Sequence, residues 1–375
     1  MEQGTTGTTG HASTDTTVIG AVPATDRTCP DRRGHDALPA GIWALQSCVS
    51  PAADQANTHV LAWARGLGLV RSDVAERRLA SVRLGDFAAR VYPTATVEDL
   101  LLTTDWIAWL DFLDDQNDDR RTALDPQGFE GFLAGVADVA STGTRRPATG
   151  PIGDALAELW ARTLARAGSR LCRRLHLHLL EYLAGNLQQA AYRGLGDVCH
   201  LAEYGALRRA AGGILITFDL IEFAGGSELP PAVYYSRTYQ RLLRAAGDVV
   251  CWTNDVLTVE KETAAGDLLN LVTVLQRAHH CPPGEARARA RELISRRLDG
   301  FRRTEEEVPG LCAALVLDGT EQQALTACVG LLRAWMGGHA AWGITTSRYA
   351  LLPGDPAYLE ELIPGSARTG PGPGT

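Results

Sequence analysis

Apolar residues recur at three- and four-residue spacing over windows much longer than a strand, while alternation of period two is scarce. The windows are VAERRLASVRLGDFAARVY (74–92), ALAELWARTLARAGSRLCRRLHLHLLEYLAGNL (155–187), EARARARELISRRLDGFRRTEEEV (285–308) and QQALTACVGLLRAWMGG (322–338). Side chains three and four apart share one face of a helix, so these windows gather an apolar stripe only if they are helical. Between them stand YPTAT, TGTRRPATGPIGD, GGSELPP and HHCPPGE, where proline and glycine stop a helix on steric grounds. The pattern predicts an all-α fold of about ten helices. No repeat or linker divides the middle, so one domain is expected over residues 38–355. A disordered tail is expected at 1–37, which is rich in Thr, Gly, Asp and Pro, and a flexible C-terminal tail at 356–375.

A chain of 375 residues with 45% hydrophobic residues can bury a sizeable core. Its net charge of -8 and the lack of any basic patch argue against a nucleic-acid partner. No run of apolar residues reaches the length of a membrane span, and MEQGTTGTTGHASTDTTVIG has neither the basic nor the apolar part of a secretory signal. A cytoplasmic enzyme is the expectation. The eight cysteines form no CxxC pair and read as reduced structural thiols, and the pairs His176/His178 and His279/His280 are too few ligands for a metal site.

Two stretches carry chemistry. In DWIAWLDFLDDQNDD (105–119) the front half is apolar nearly all round a helix, which marks a buried helix, yet it ends in six acidic or amide residues. Like charges at that density repel unless a cation compensates them. Asp114 and Asp118 lie four apart and share a face, with Asp115 one step round. A calcium loop of the EF-hand kind fits poorly, because Asp119 stands where glycine is required and Asp125 where glutamate is. Oxygen ligands alone point instead to Mg²⁺.

The second stretch is NDVLTVEKE (254–262), in which Asn254, Thr258 and Glu262 recur at i, i+4 and i+8 and line one helical face. It also holds Lys261, the single lysine among 36 basic residues. At i+7 from Asn254, Lys261 returns to nearly the same face, where a compact ammonium beside a metal is favourable only if an anion binds there.

These stretches resemble the motifs of the class I terpene synthases, particularly the bacterial ones. DDQND is similar to their DDxxD motif and NDVLTVEKE to their ND-x-x-S/T-x-x-x-E motif, with TAAGDLLNLV resembling the usual continuation. Arg208, 46 residues before Asn254, stands where the family carries its diphosphate-sensing arginine, and Gly212 where a helix break follows. Arg348-Tyr349 is similar to the family's C-terminal RY pair. The chain departs from the family at Asn186 and Gln189, where Trp and Glu are more usual, and at Ala211 in the position before Gly212.

The resemblance implies a helical bundle around a central cavity and an enzyme that ionises and cyclises a linear prenyl diphosphate. Farnesyl diphosphate is the first expected substrate and geranylgeranyl diphosphate the second. It implies three Mg²⁺ ions, with Mn²⁺ as the alternative: Asp114 with Asp118 for two, Asn254, Thr258 and Glu262 for the third, and Asp115 as a hydrogen-bonding support. Arg208, Lys261, Arg348 and Tyr349 are expected to grip the diphosphate, each donating only when it is present. Gly212 and Gly213 are expected to open a helix and aim carbonyls into the cavity. Trp342 is the first candidate for an aromatic wall facing a carbocation, with Trp109, Phe112 and Phe218 after it. A homodimer is compatible with the resemblance. The rival readings are a chain-elongating prenyl diphosphate synthase, which would carry a second DDxxD in place of NDVLTVEKE, and a non-catalytic all-α binding protein whose acidic clusters only solvate.

Overall fold

The computed structural model describes residues 1, 32–45, 48–117, 125–349 and 360–364. The described residues are helical or irregular, with no strand among them. In chain order the α-helices are α1 (Arg32–Ala37), α2 (Ala53–Gly66), α3 (Asp73–Val82), α4 (Leu84–Val91), α5 (Val97–Asn117), α6 (Pro126–Thr142), α7 (Gly150–Leu164) and α8 (Ser169–Leu195). They continue with α9 (Leu201–Ala211), α10 (Ile214–Ala224), α11 (Pro231–Tyr234), α12 (Arg237–Ala265), α13 (Leu271–His279), α14 (Pro283–Glu305), α15 (Val308–Leu315) and α16 (Gly319–Gly343).

The count exceeds the expected ten in part because two of the periodic windows contain a break. Residues 74–92 form two helices hinged at Arg83, whose φ of 56° is left-handed. Residues 155–187 divide between α7 and α8 at the turn around Gly168. Helix ends follow the local chemistry. Ser72 and Ser236 accept backbone N–H groups at the starts of α3 and α12, and Asp318 with Glu321 closes a capping box on α16.

Helix α5 lies among α2, α4, α7 and α10, and α12 packs on α14 and α16. Residues 102–110 of α5 are all buried, and Trp106, Ala108, Trp109 and, a turn further on, Leu113 are fully enclosed. An all-round apolar helix can find that environment only in the middle of a bundle, which carries the acidic end into the interior with it. Tyr182 from α8, also buried, donates its hydroxyl to the Leu110 carbonyl of α5 at 3.1 Å.

Two parts of the expected tails belong to the fold instead. Arg32–Ala37 is helical, and Glu360–Pro364 packs against α5 with Leu362 fully buried. Asp118 and Asp119 of the acidic motif lie outside the described residues. Cys172, Cys199, Cys251, Cys281, Cys312 and Cys328 are free thiols.

Candidate active site

One cavity holds about 960 Å³ of atom-free space, part of it open to solvent. At its polar end stand Asp111 and Asp114 from α5, Arg208 from α9, Asn254 and Glu262 from α12, Asp267 beyond it, and Arg348 and Tyr349. At its apolar end stand Phe87, Ile107, Leu110, Trp335 and Trp342. Residues of the two acidic stretches therefore line one space.

On α12 the expected row is present. The Thr258 hydroxyl lies 2.8 Å from the Asn254 carbonyl and 2.7 Å from Glu262 Oε1. Asn270 Nδ2 donates to Glu262 Oε2 at 2.7 Å, so the carboxylate is held at both oxygens. Helix α12 ends just past this row at Gly266, whose φ of 82° turns the chain back so that Asn270 can reach Glu262.

Arg208 and Arg348, expected to donate to a diphosphate when it is present, have carboxylate partners within the fold. Arg208 donates from Nε to Asp255 at 2.8 Å and from Nη2 to Asn254 Oδ1 at 2.7 Å. Arg348 donates to Asp115 at 3.2 Å and to Asp114 at 3.3 Å, and lies 3.5 Å from Asp111. A guanidinium taken this far from water needs a carboxylate beside it, and each has one already. Tyr349 accepts from Asn254 Nδ2 at 2.7 Å and lies 3.2 Å from His339 Nε2. Lys261 is partly exposed and does not line the cavity, but its positive charge opposes the upward shifts of Asp111 and Asp114.

The electrostatics follow from crowding. Burial, and then the negative charges of Asp115 and Asp114, push Asp111 up to about 7 against the pull of Arg348 and Lys261. Burial likewise raises Asp114, with Asp115 adding to it. Glu262 rises to about 7 through burial and the nearby charges of Asp267 and Asp255. Asp111 and Asp114 keep 27% and 40% of their side-chain exposure, so water in the cavity screens part of this effect. His339 is driven down to about 3 by burial and the Arg208 charge, which keeps the imidazole neutral.

Trp342 lines the cavity as expected, stacked on Phe87 at 4.4 Å and fixed by its indole N–H on the Val82 carbonyl at 3.1 Å. The other expected aromatics are elsewhere. Trp109 is core, donating to the Ile152 carbonyl, Phe112 faces a separate pocket, and Phe218 packs edge-on to Trp335 from behind. The sequence reading passed over Trp335 and His339, although with Trp342 they recur at i, i+4 and i+7 on α16 and all three line the cavity. It also passed over Asp111, three residues before Asp114, and Asp255, whose buried carboxylate orients Arg208.

The glycine pair divides its work. Gly212 retains right-handed geometry, and a Cβ there would come within 2.8 Å of Arg208 Nη1. Gly213 makes the turn, with φ of 60°. The Ala211 carbonyl at this break accepts a long hydrogen bond of 3.4 Å from Asn186, so it is partly engaged. Asn186 and Gln189 take structural parts here: Asn186 accepts from Asn117 at 3.0 Å, and Gln189 donates to Asp267 at 3.0 Å.

An all-helical bundle that buries carboxylates, amides and guanidinium groups at one end of an aromatic cavity defines a class I terpenoid synthase. Residues 105–299 match the family model described as "Terpene synthase family 2, C-terminal metal binding". The chain is 39% identical over 309 residues to a (-)-delta-cadinene synthase of Streptomyces clavuligerus, covering 82% of this chain and 94% of that one. It is 36% identical over 313 residues to a (+)-T-muurolol synthase of Roseiflexus castenholzii, described as (2E,6E)-farnesyl diphosphate cyclizing, covering 82% and 93%. The solved linalool/nerolidol synthase of Streptomyces clavuligerus in complex with 2-fluorogeranyl diphosphate superposes with a TM-score of 0.72 at 29% identity, over 79% of this chain and 99% of that one. The chain belongs to the bacterial terpene synthase family, whose members are metal-binding enzymes acting on prenyl diphosphates. No described helix is long and apolar enough to cross a membrane.

Proposed function

We propose that the protein ionises and cyclises farnesyl diphosphate, with geranylgeranyl diphosphate as the second candidate, to a terpene hydrocarbon or alcohol. The observation that carries this reading is the shared cavity: two acidic stretches and two arginines at one end, aromatic and aliphatic walls at the other.

The residues fit divalent cations. Among the described residues no three His, Cys, Asp or Glu side chains converge as a metal site. The fit therefore rests on a mixed oxygen set that suits a hard ion: Asn254, Thr258 and Glu262 on α12, and Asp114 on α5 with Asp118 outside the described residues. Burial that pushes Asp111, Asp114 and Glu262 upward leaves a group of carboxyls that positive charge would stabilise in their ionised form. We assign Mg²⁺, three ions in all, with Mn²⁺ as the alternative, and Asp115 as the residue that holds Arg348. Bound Mg²⁺ supplies electrostatic stabilisation of the leaving diphosphate.

The chain's own groups do the rest. Arg208, Arg348 and Tyr349 exchange their present partners for diphosphate oxygens, and Lys261 adds charge beside them. The allylic C–O bond breaks with its electron pair leaving on diphosphate. The resulting cation closes on a distal double bond, then loses a proton or takes up water. Phe87, Trp335 and Trp342 exclude bulk water and present ring faces to the positive charge. The stretch NDVLTVEKE, in place of a second DDxxD, weighs against chain elongation.

The test is incubation of purified protein and Mg²⁺ with the C10, C15 and C20 prenyl diphosphates, followed by gas chromatography with mass spectrometry and a diphosphate assay. Release of diphosphate with a cyclic product from the C15 substrate is expected; no release from any of the three ends the proposal. Sedimentation of the same preparation distinguishes a homodimer from a monomer.

A further inference from the structure

We infer that the C-terminal segment Glu360–Pro364 is part of the diphosphate end of the site, held there by Gln116, a positioning residue inside the acidic motif. The inference rests on the function proposed above and concerns a segment that composition places in a flexible tail.

The segment is gripped from four directions. Gln116 Nε2 donates to the Glu360 carbonyl at 3.0 Å, and its Oε1 accepts from the Leu362 N–H at 3.0 Å. Residues 360 and 362 of an extended chain present these groups along one edge, so the side-chain amide pairs with the segment as a neighbouring strand would. The side-chain amide offers a donor and an acceptor side by side on two different atoms; an ionised carboxylate of the same length could only accept. The Glu360 carboxylate accepts from Arg71 N at 2.9 Å and Ser72 N at 2.8 Å, ahead of α3, while Arg71 Nη2 donates to the Glu361 carbonyl at 2.7 Å. Leu362 is fully buried. At Gly150, left-handed with φ of 51°, a Cβ would stand 3.1 Å from the Leu362 carbonyl and 3.0 Å from Pro364. The segment thus fills a close approach that a side chain at 150 would obstruct.

It lines a second cavity, about 470 Å³ of atom-free space that includes open solvent, on the other side of Asp111 and Arg348. Asp111 and Arg348 line both cavities, and Asp115 lines this one together with Glu360 and Leu362. The carboxylates of Asp114 and Asp115 sit in the last turn of α5. Asn117 pins that turn from the α8 side, donating to Asn186 at 3.0 Å and accepting from Arg193 at its carbonyl. Gln116 pins it from the other. The turn needs both supports, because acidic groups at a helix C-terminus oppose the helix dipole. Releasing the segment would leave Asp114, Asp115 and Arg348 held on one side only.

Two substitutions in the full chain test this. Gln116→Met keeps length but cannot hydrogen-bond, and Leu362→Asp undocks the segment. In each, the Mg²⁺ concentration giving half-maximal rate should rise about tenfold, the scale on which loss of a supporting contact weakens a metal site. The double variant should show no more than the larger single shift, because both remove the same contact. A glutamate-specific protease should cut after Glu360 or Glu361 slowly in the unsubstituted chain and at least tenfold faster in both variants, with Gln116→Met carrying this readout alone if Leu362→Asp fails to fold. Additive shifts in Mg²⁺ dependence, or equal cleavage in all chains, would overturn the inference. If the unsubstituted protein turns over no prenyl diphosphate, the proposed function fails, while the cleavage rates still decide whether Gln116 holds the segment.

Discussion

Asn254 donates from Nδ2 to the hydroxyl of Tyr349 at 2.7 Å, a contact between residues 95 positions apart. It turns the amide so that Oδ1, the atom able to hold a cation, points toward Arg208. The Tyr349 hydroxyl can accept from Asn254 and donate its own hydrogen to the neutral His339 ring, so the three residues fix one another's direction. Tyr349→Phe removes the acceptor and leaves Nδ2 unpaired. A hydrogen bond of this kind is worth about 1 kcal/mol, so the half-saturating Mg²⁺ concentration should rise about fivefold. Unchanged Mg²⁺ dependence in Tyr349→Phe, measured at saturating substrate, would show that the amide needs no such support.

Asn254→Ala and Glu262→Ala should each abolish turnover in saturating substrate while leaving the far-UV helix signal intact. Both side chains line the cavity rather than the core, so neither change opens the core. Activity retained in either would remove that residue from the proposed metal set.

Lys261 precedes Glu262 on the partly exposed edge of α12 and bears electrostatically on Asp111 and Asp114. A planar guanidinium cannot replace a compact ammonium where space is shared with metal and phosphate oxygens. Lys261→Arg preserves charge, yet kcat/KM should fall about tenfold with little change in melting temperature. Full activity would show that lysine at this position is incidental.

The raised carboxyls give a signed dependence on pH. Glu262 rises from an ordinary value of 4.5 to about 7 in the fold, so ionising it favours the unfolded chain. Its contribution is most favourable below the unfolded value, declines as pH rises from about 4.5 to 7, and is constant above. Glu262→Gln should therefore gain stability relative to the unsubstituted protein across that window when both are melted in chelator. Mg²⁺ should close the gap, since it favours the ionised carboxylate, and its stabilisation of the unsubstituted protein should grow between pH 6 and pH 8. Parallel melting curves at every pH would refute the burial argument for this residue.

What could be read from the chain depended on how local the signal was. Helix α5 was legible because its apolar front and acidic end lie within one window, and the α12 row because i, i+4 and i+8 fix a face without tertiary help. The partners that complete the site were not, since Asp267 meets Gln189 and Arg348 meets Asp115 only after folding. Glu360–Pro364 was assigned to a tail because its Pro- and Gly-rich neighbours dominate the composition, whereas docking depends on Gln116 and one buried leucine. Trp109 and Phe218 were proposed for the wall on residue type alone; the helix faces they occupy point into the core. The i, i+4, i+7 row of Trp335, His339 and Trp342 was the signal that would have found the wall.

The helix break between α9 and α10 separates stability from catalysis in adjacent residues. Gly213 has φ of 60°, and a Cβ there would lie 3.0 Å from Leu110 and 3.2 Å from Tyr182. Left-handed geometry costs an L-residue roughly 1–2 kcal/mol, so Gly213→Ala should lower the melting temperature by several degrees. Gly212 has ordinary helical geometry and carries no such cost. A Cβ at 212 would instead meet Arg208 Nη1 at 2.8 Å and must push the guanidinium away from Asn254 and Asp255. Because that arginine is proposed to meet the diphosphate, Gly212→Ala should reduce kcat at least tenfold with a smaller loss of stability than Gly213→Ala. Thermal melts and steady-state rates on the two variants decide the matter. If stability and kcat fall together to the same degree in both, the break acts only as a hinge in the fold and Gly212 has no separate part in placing Arg208.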